Sequence, residues 1–288
     1  MKKTYLAALM MTALSGSLMA QTLVTVNGTK IDSSEIDRQV RVLQQTRQAA
    51  DSPALRNELL QRTVTRTIVA QEARRLKLDQ SAEYKKASEQ ARSAAKAEGA
   101  DKQADFKAQW ADFETGLLGQ AYEIHVLRQN PLREADVQKS YNDLKNFYQG
   151  TSEIQLGEIV TENKADTDKA LRDLNAKKSF AAVARQYSAD PAAKENGGIG
   201  ADYIPLKDLE QANPEVYQAV RNLNKGQFTR TPLSNGNVYA LFYVNDKRAV
   251  KIPSFDEAKN NIAQTLQLQK IAASVEDLYQ KAKIVPAN

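Results

Sequence analysis

The sequence contains no cysteine and only one histidine in 288 residues. The absence of cysteine excludes disulfides, a thiol nucleophile, zinc–thiolate centres and a cysteine-linked lipid anchor. A single histidine, His125, is not enough to form a zinc site in a chain without cysteine, because catalytic zinc typically has about three protein ligands. No GxSxG motif is present to support a serine hydrolase. We therefore expect no metal and no cofactor, and a structural or partner-facing role for His125.

Long apolar runs are also scarce, and the one near the start is short. Residues 1–20 read MKKTYLAALMMTALSGSLMA, in which two lysines precede an apolar run and small residues precede Ala20. This pattern is typical of a secretory signal, here cleaved near Ala20, rather than of a buried N-terminal helix. The run Tyr5–Met19 is too short to span a bilayer comfortably. The sequence thus predicts a periplasmic protein without stable membrane insertion.

The excess of positive charge is small. Loss of Lys2 and Lys3 with the signal lowers the formal charge from +5 to +3. The remaining charges alternate in sign along the predicted helices, a pattern typical of solvated faces. A nucleic-acid partner is therefore not expected, although the pI is near 9.1. The length leaves room for two domains, each with its own core.

The segment before residue 150 has helical signals. Asn27–Gly28 predicts a hairpin with a type I′ turn. Asp32 and Glu35 form a plausible capping box for a helix reaching about Arg47. Ser52–Pro53 predicts the start of a second helix. Apolar stripes at helical spacing follow: Leu55, Leu59, Leu60, Val64, Ile68, Val69 and Leu76, and then Trp110, Phe113, Leu117, Ala121 and Ile124. Between the two stripes lies a polar, alanine-rich stretch expected to be helical and weakly packed.

The C-terminal segment carries another long apolar stripe after Pro253. Its members are Phe255, Ala258, Ile262, Leu266, Ile271, Val275 and Leu278. A helix of this kind is not stable in water unless something covers the apolar face. We therefore expect it to pack on the N-terminal helices.

The central segment is organised around the stretch Tyr187–Tyr203, which reads YSADPAAKENGGIGADY. Asp190 followed by proline signals the start of a helix. Gly197 and Gly198 allow backbone conformations that other residues avoid. Two short amphipathic helices precede this stretch, and a helix and a hairpin follow it.

In this order the central segment resembles the parvulin-type peptidyl-prolyl cis-trans isomerases. The matching residues are Ser179, Phe180, Ala181, Val183, Ala184, Tyr187, Ser188, Asp190, Gly197, Gly198, Leu223 and Gly226. The flanks resemble the helical chaperone segments of secreted foldases related to SurA and PrsA. The resemblance implies an α+β fold: a parvulin-like domain with a small antiparallel sheet and surrounding helices, inserted into a helical module built from both ends of the chain. The expected divisions are 21–150, 151–248 and 249–288.

The resemblance also implies positions for the catalytic groups, which in parvulins are usually two histidines and an Asp or Cys. Glu158 stands at the first histidine position, and Ala240 or Val238 stands at the second. Asp190 matches the Asp/Cys position. Both imidazoles are therefore missing. Asp190 is also explained as a helix cap, and Glu158 as a charge at a strand edge.

A proline socket is expected from apolar residues around these positions. The candidates are Leu209, Val216, Tyr217 and Phe242. The same four residues are equally consistent with an ordinary core.

Two functions remain open at the level of the sequence. Rotation about an X-Pro bond needs no covalent chemistry, only relief of a barrier of about 18–20 kcal/mol. The first function is a prolyl isomerase with chaperone activity, acting on unfolded or nascent exported proteins that contain X-Pro bonds. The second is a non-catalytic holdase with a degenerate isomerase domain. Both are compatible with a homodimer.

Overall fold

The computed structural model describes residues 21–287. The signal sequence predicted for residues 1–20 lies outside the described residues. The contacts divide the chain into two compact units. The first consists of the described residues up to Arg133 together with those from Ala263 onward, and the second is Glu134–Ile262.

The described residues begin with the strands β1 (Thr22–Val26) and β2 (Thr29–Asp32), followed by the helices α1 (Ser33–Gln45), α2 (Pro53–Arg75), α3 (Ala82–Ala97), α4 (Phe106–Gln129) and α5 (Glu134–Tyr148). The central part contains β3 (Ser152–Thr161), α6 (Lys164–Asn175), α7 (Phe180–Tyr187), α8 (Ala192–Asn196), β4 (Ile199–Pro205), α9 (Leu206–Ala212), α10 (Pro214–Val220), β5 (Leu233–Asn235) and β6 (Val238–Ala249). The chain closes with α11 (Phe255–Lys281) and β7 (Ile284–Pro286).

The first unit joins the two ends of the chain in one sheet. Asn27 and Gly28 have φ angles of 47° and 88°, as the predicted type I′ turn requires. The strand order is β2-β1-β7, and β7 runs antiparallel to β1 with Val26 opposite Ile284. The prediction that N- and C-terminal segments build one module is thereby confirmed.

The caps of the first two helices differ from each other. Ser52 accepts a hydrogen bond from the Leu55 N–H at 3.1 Å, as predicted for the start of α2. Asp32 precedes α1, but its side chain makes no capping bond and instead accepts a hydrogen bond from the Thr22 hydroxyl at 2.8 Å. The capping-box prediction was wrong because the β1–β2 pairing places Thr22 opposite Asp32.

The apolar stripe predicted for α4 is not its buried face. The residues of α4 that are buried are Leu118, Tyr122 and Val126, whereas Phe113 and Ile124 are 41% and 47% exposed. The buried face packs in one cluster with the small residues Ala70 and Ala73 of α2, and small residues at a contact let two helices approach closely. No residue of α3 is buried, in agreement with its predicted weak packing.

The second unit is a four-stranded antiparallel sheet with helices on both faces. The strand order is β4-β3-β6-β5. Ile159 and Leu241 pack against α6 and α7 on one face. On the other face, Ile154 and Val244 pack with residues of α9 and α10. The predicted α+β domain with a small antiparallel sheet is confirmed.

The second unit is longer at both ends than the segment predicted from the sequence. It includes α5, whereas the sequence placed the division after that helix, at Gly150. Tyr141 of α5 packs against Phe255, with ring centroids 5.4 Å apart, and donates a hydrogen bond to the Pro253 carbonyl at 2.9 Å. These contacts tie α5 and the first turns of α11 to this unit. Among the described residues, no helix combines the length and apolar character that crossing a membrane requires.

Candidate functional site

The glycine pair after α8 supports the backbone of β3. Gly197 and Gly198 have φ angles of 69° and 71°. The Gly198 carbonyl accepts a hydrogen bond from the Glu158 N–H at 2.7 Å. A Cβ atom on Gly198 would stand 2.5 Å from the Glu158 carbonyl oxygen, and one on Gly197 would stand 2.6 Å from the Ala181 Cβ. Both positions therefore require glycine, for conformation as well as space.

The turn between α7 and α8 extends the same edge of β3. Ala189 donates to the Val160 carbonyl at 2.7 Å, and the Ser188 hydroxyl accepts from the Val160 N–H at 3.2 Å. Asp190 follows directly, and its carboxylate accepts a hydrogen bond from the Ala192 N–H at 3.0 Å. Asp190 thus bonds to the first residue of α8, although Pro191 stands at the N-cap position and that position has no side-chain capping bond. The turn also brings its charge close to Glu158.

The pKa of the Glu158 carboxyl group differs from its usual value. The residue is exposed as a whole, yet the protein around its carboxyl group partly excludes water. This desolvation raises the pKa of Glu158 above its usual value of 4.5, and the negative charge of Asp190 raises it further. Two interacting carboxyl groups therefore lie at the positions that the resemblance to parvulins predicts for an imidazole and an Asp or Cys.

The strand register distinguishes the two positions proposed for the second histidine. Glu158 lies opposite Phe242, and Val160 lies opposite Ala240. Ala240 therefore points to the same face as Glu158, diagonally across the strand pair. The β3–β6 ladder ends at Tyr239, so Val238 lies beyond it, paired with Asn235 of β5. Ala240 is the position that adjoins Glu158.

The residues predicted for the proline socket lie together on this face. Leu209, Val216 and Phe242 belong to one apolar cluster, and Tyr217 packs against it. The first three are only 5–8% exposed. The positions expected for a socket thus contribute mainly to the core of the domain, and little of their surface is open to a ligand.

Open space adjoins this cluster beside α10. A cavity of 740 Å³ is lined by residues of α10 and of the segment that leads into β5, among them Ala219, Phe228 and Thr229. Thr229 connects the cavity wall to the sheet, because its N–H donates to the Phe242 carbonyl at 2.8 Å and its hydroxyl accepts from the Phe242 N–H at 3.0 Å. Thr229 was not identified from the sequence.

Gly157 was also missed. A Cβ atom at this position would stand 2.8 Å from the Phe180 ring, which stacks on Tyr243 with centroids 4.5 Å apart. A glycine inside a strand pattern indicates such a close approach, so the signal was present beside Glu158.

His125 lies in the first unit and takes no part in this site. It lines a cavity of 440 Å³ between α3 and α4, with Tyr84 and Ile124. Its structural or partner-facing role remains a prediction. Within residues 21–287, no group of three or more His, Cys, Asp or Glu side chains is arranged to hold a metal ion.

Comparison with known families identifies the second unit. Residues 133–260 match the model of the PPIC-type PPIASE domain. These residues form a parvulin-type domain. The resemblance inferred from the glycine turn and its neighbours is therefore confirmed, and the matched range agrees with the compact unit better than with the boundaries expected from the sequence.

One relative matches nearly the whole chain and carries the parvulin-type name, and another matches half of the chain under a different name. A "Probable parvulin-type peptidyl-prolyl cis-trans isomerase" of Bordetella bronchiseptica is 27% identical over 267 residues, covering 92% of this chain and 93% of the relative. A "Foldase protein PrsA" of Clostridium botulinum is 27% identical over 146 residues, covering 50% of this chain and 43% of the relative.

Solved structures match this chain only at low TM-scores and low identity. The crystal structure of PrsA from Bacillus cereus has a TM-score of 0.38 at 20% identity and covers 91% of this chain and 92% of its own. A structure from Campylobacter jejuni, reported with SurA-like chaperones, has a TM-score of 0.36 at 19% identity and covers 91% of this chain and 96% of its own.

Proposed function

We propose that this chain is an exported protein-folding factor in which a parvulin-type prolyl isomerase domain is carried by a helical chaperone module. The observation that carries the proposal is the match of residues 133–260 to the PPIC-type domain. A relative named as a parvulin-type isomerase along nearly the whole chain supports it. The clients are unfolded or nascent exported proteins with X-Pro bonds.

The proposed site is the face of β3 and β6 that carries Glu158 and Ala240, with Asp190 at its edge. Catalysis of amide rotation needs exclusion of water and groups that favour the twisted bond. Glu158 and Asp190 are the polar groups to which we assign this role. The absence of an imidazole leaves desolvation as the main contribution, and a missing preorganised donor typically costs about 10²–10³-fold in rate.

The proposed socket consists of Leu209, Val216, Tyr217 and Phe242. Because three of these side chains are largely buried, a proline ring would contact their remaining exposed edges and the adjoining cavity beside α10. We expect weak binding of the ring, which again predicts low activity.

A protease-coupled assay of the chain from residue 21 on an X-Pro peptide tests this function. The expected result is a low but measurable rate that changes little between about pH 6 and 8, because no histidine titrates in the domain. Activity with a steep pH profile in that range would contradict the site. A rate equal to the uncatalysed one would leave the holdase alternative.

Installing imidazoles provides a sharper test with a matched control. The double variant E158H/A240H is expected to raise the rate and to introduce a pH dependence near the pKa of histidine, about 6.5. The control E158H/V238H places the second ring beyond the β3–β6 ladder and should not show this gain. Equal rates in the two variants would mean that Ala240 is not the site position.

The second candidate function is a holdase without catalysis. The exposed apolar side chains Phe113 and Ile124 on α4 favour it, since apolar surfaces of this kind suit partners of varied sequence. The test is suppression of aggregation of a denatured protein. Protection by a chain that lacks isomerase activity would support this function, and absence of both activities would contradict both proposals.

We further propose cleavage near Ala20 and residence in the periplasm, on the charge and apolar pattern of the first residues. Mass spectrometry of the envelope fraction should find a chain that begins near Gln21. An intact Met1 on a cytoplasmic protein would contradict this.

A further inference from the structure

The basic residues of the first unit change in type along the chain. Between residues 31 and 76 all eight basic side chains are arginines, whereas Lys30 and Lys77 flank this stretch and lysine predominates from there to residue 107. Arginine differs from lysine in offering a planar fork of donors that matches a carboxylate or phosphate. The arginines of this stretch could therefore bind an anionic group if several of their side chains line one recess.

Five of the eight arginines line two adjoining cavities formed by β2, α1, α2 and α4. The cavities measure 240 Å³ and 340 Å³ and share Arg38, Arg66 and Asp112 in their walls. We use the term arginine groove for this pair of cavities and its lining guanidinium groups, which belong to Arg38, Arg41, Arg62, Arg66 and Arg74.

The guanidinium groups of the groove are poorly matched with acidic partners. Within residues 21–287, the guanidinium groups of Arg41 and Arg62 make no hydrogen bond and no ion pair, and both residues are exposed. Arg38 approaches Asp112 only to 3.8 Å, and its buried Nε atom has no hydrogen-bond partner. Arg66 donates to the main-chain carbonyl of Asp112 at 3.0 Å rather than to a carboxylate.

An arginine of α2 that lies outside the groove is, by contrast, fully paired with carboxylates. Arg56 contacts Asp37 at 2.7 Å and Asp51 at 2.8 Å. The groove contains the five arginines and Lys30 against three carboxylates, those of Glu35, Asp105 and Asp112, which leaves a surplus of three positive charges. The groove is therefore complementary to an anionic ligand.

The other side chains of the groove indicate which anion it fits. Val42 is 56% exposed at its wall, beside Leu43. The amides of Gln45 and Gln109 also line it, and an amide group can pair with both donors and acceptors of a peptide backbone. A free phosphate would use the arginines but not the apolar wall, and a bilayer surface is too flat to enter a recess between helices.

We propose that the arginine groove binds acidic, partly apolar segments of unfolded polypeptides. The carboxylates of the segment pair with Arg41 and Arg62, and an adjacent apolar side chain packs against Val42. This inference deepens the proposed chaperone function and rests on it for the nature of the client.

Fluorescence anisotropy with three labelled peptides of one apolar pattern tests the proposal. The peptides carry Glu, Gln or Lys at the alternate positions. The chain from residue 21 should bind the Glu peptide about tenfold tighter than the Gln peptide, and added salt should weaken this binding because exposed charges are screened. Equal affinities for the Glu and Lys peptides would overturn the proposal.

The variant R41Q/R62Q should lose roughly tenfold in affinity for the Glu peptide. The control K85Q/K86Q removes the same charge from exposed positions of α3 and should stay within about twofold. Circular dichroism melting confirms that both variants fold. Equal losses in the two variants would show a general charge effect and would overturn the site.

Two further measurements identify the source of the anion and distinguish failure of the groove from failure of the proposed folding function. Inorganic phosphate or vesicles of anionic lipid that displace the Glu peptide at matched charge concentration would overturn a polypeptide ligand. Isomerase activity of R41Q/R62Q on a neutral X-Pro peptide should equal that of the unmodified chain. If the chain binds the Glu peptide through Arg41 and Arg62 but has no folding activity, only the proposed function is contradicted. If the chain has folding activity but binds the Glu and Lys peptides equally, only the groove is contradicted.

Discussion

At the scale of single residues, the desolvation of the Glu158 carboxyl group and its interaction with Asp190 have a measurable consequence. The raised pKa of Glu158 means that the folded chain holds this proton more tightly than the unfolded chain does. Ionisation of Glu158 therefore opposes folding above its folded-state pKa. This effect disappears below the unfolded value near 4.5.

We expect the variant D190N to lower the pKa of Glu158 towards its usual value, because the substitution removes the neighbouring charge. Asparagine keeps the side-chain oxygen that accepts a hydrogen bond from the Ala192 N–H. NMR titration of the Glu158 carboxyl measures the shift. The control D202N, at an exposed position of β4, should leave the titration unchanged, and an unchanged midpoint in D190N would contradict the coupling.

A second residue-scale prediction concerns the glycine turn. Gly198 and Gly236 both have positive φ angles, but only Gly198 has a backbone oxygen where a Cβ would stand. We expect G236A to cost about 1 kcal/mol for conformation alone, and G198A to cost at least twice as much. Urea unfolding measures both. Similar losses would show that the close approach to Glu158 is readily relaxed.

At the scale of elements, α11 holds the first unit together. Leu278 packs against both apolar clusters of that unit. On the same helix Leu268 is 60% exposed. We expect L278A to lower the free energy of unfolding by about 2 kcal/mol, since a leucine-to-alanine change loses both burial and packing.

The matched control for this prediction is L268A, which should change stability by no more than about 0.5 kcal/mol. Chemical denaturation followed by circular dichroism compares the two. Equal effects would mean that α11 contributes to the unit through helix formation rather than through its apolar face.

At the scale of the whole molecule, each compact unit has its own apolar clusters. Those of the first unit are built around Val24 and Tyr122, and those of the second around Ile159 and Val216. We therefore expect two thermal transitions by calorimetry. L278A should lower one of them and G198A the other. A single transition shifted by both substitutions would show that the chain unfolds as one cooperative body.

Local features of the sequence determined the turns and helix starts of this protein. The hairpin at Asn27–Gly28, the cap at Ser52 and the glycine pair at 197–198 were all predicted correctly. Each depends on conformational requirements met within a few neighbouring residues. The order of such features along the chain was enough to indicate the parvulin domain.

Only the tertiary structure decided questions that depend on partners distant in sequence. That Ala240 rather than Val238 adjoins Glu158 followed from the register of β6 on β3, and the interaction of Asp190 with Glu158 followed from the turn after α7. Which stripe of α4 is buried depended on the small residues that α2 presents to it. The arginine groove likewise exists only where β2 and three helices meet. A sequence pattern records which faces are apolar or charged, but packing selects which of them meet, because that choice depends on the shape of the opposing surface.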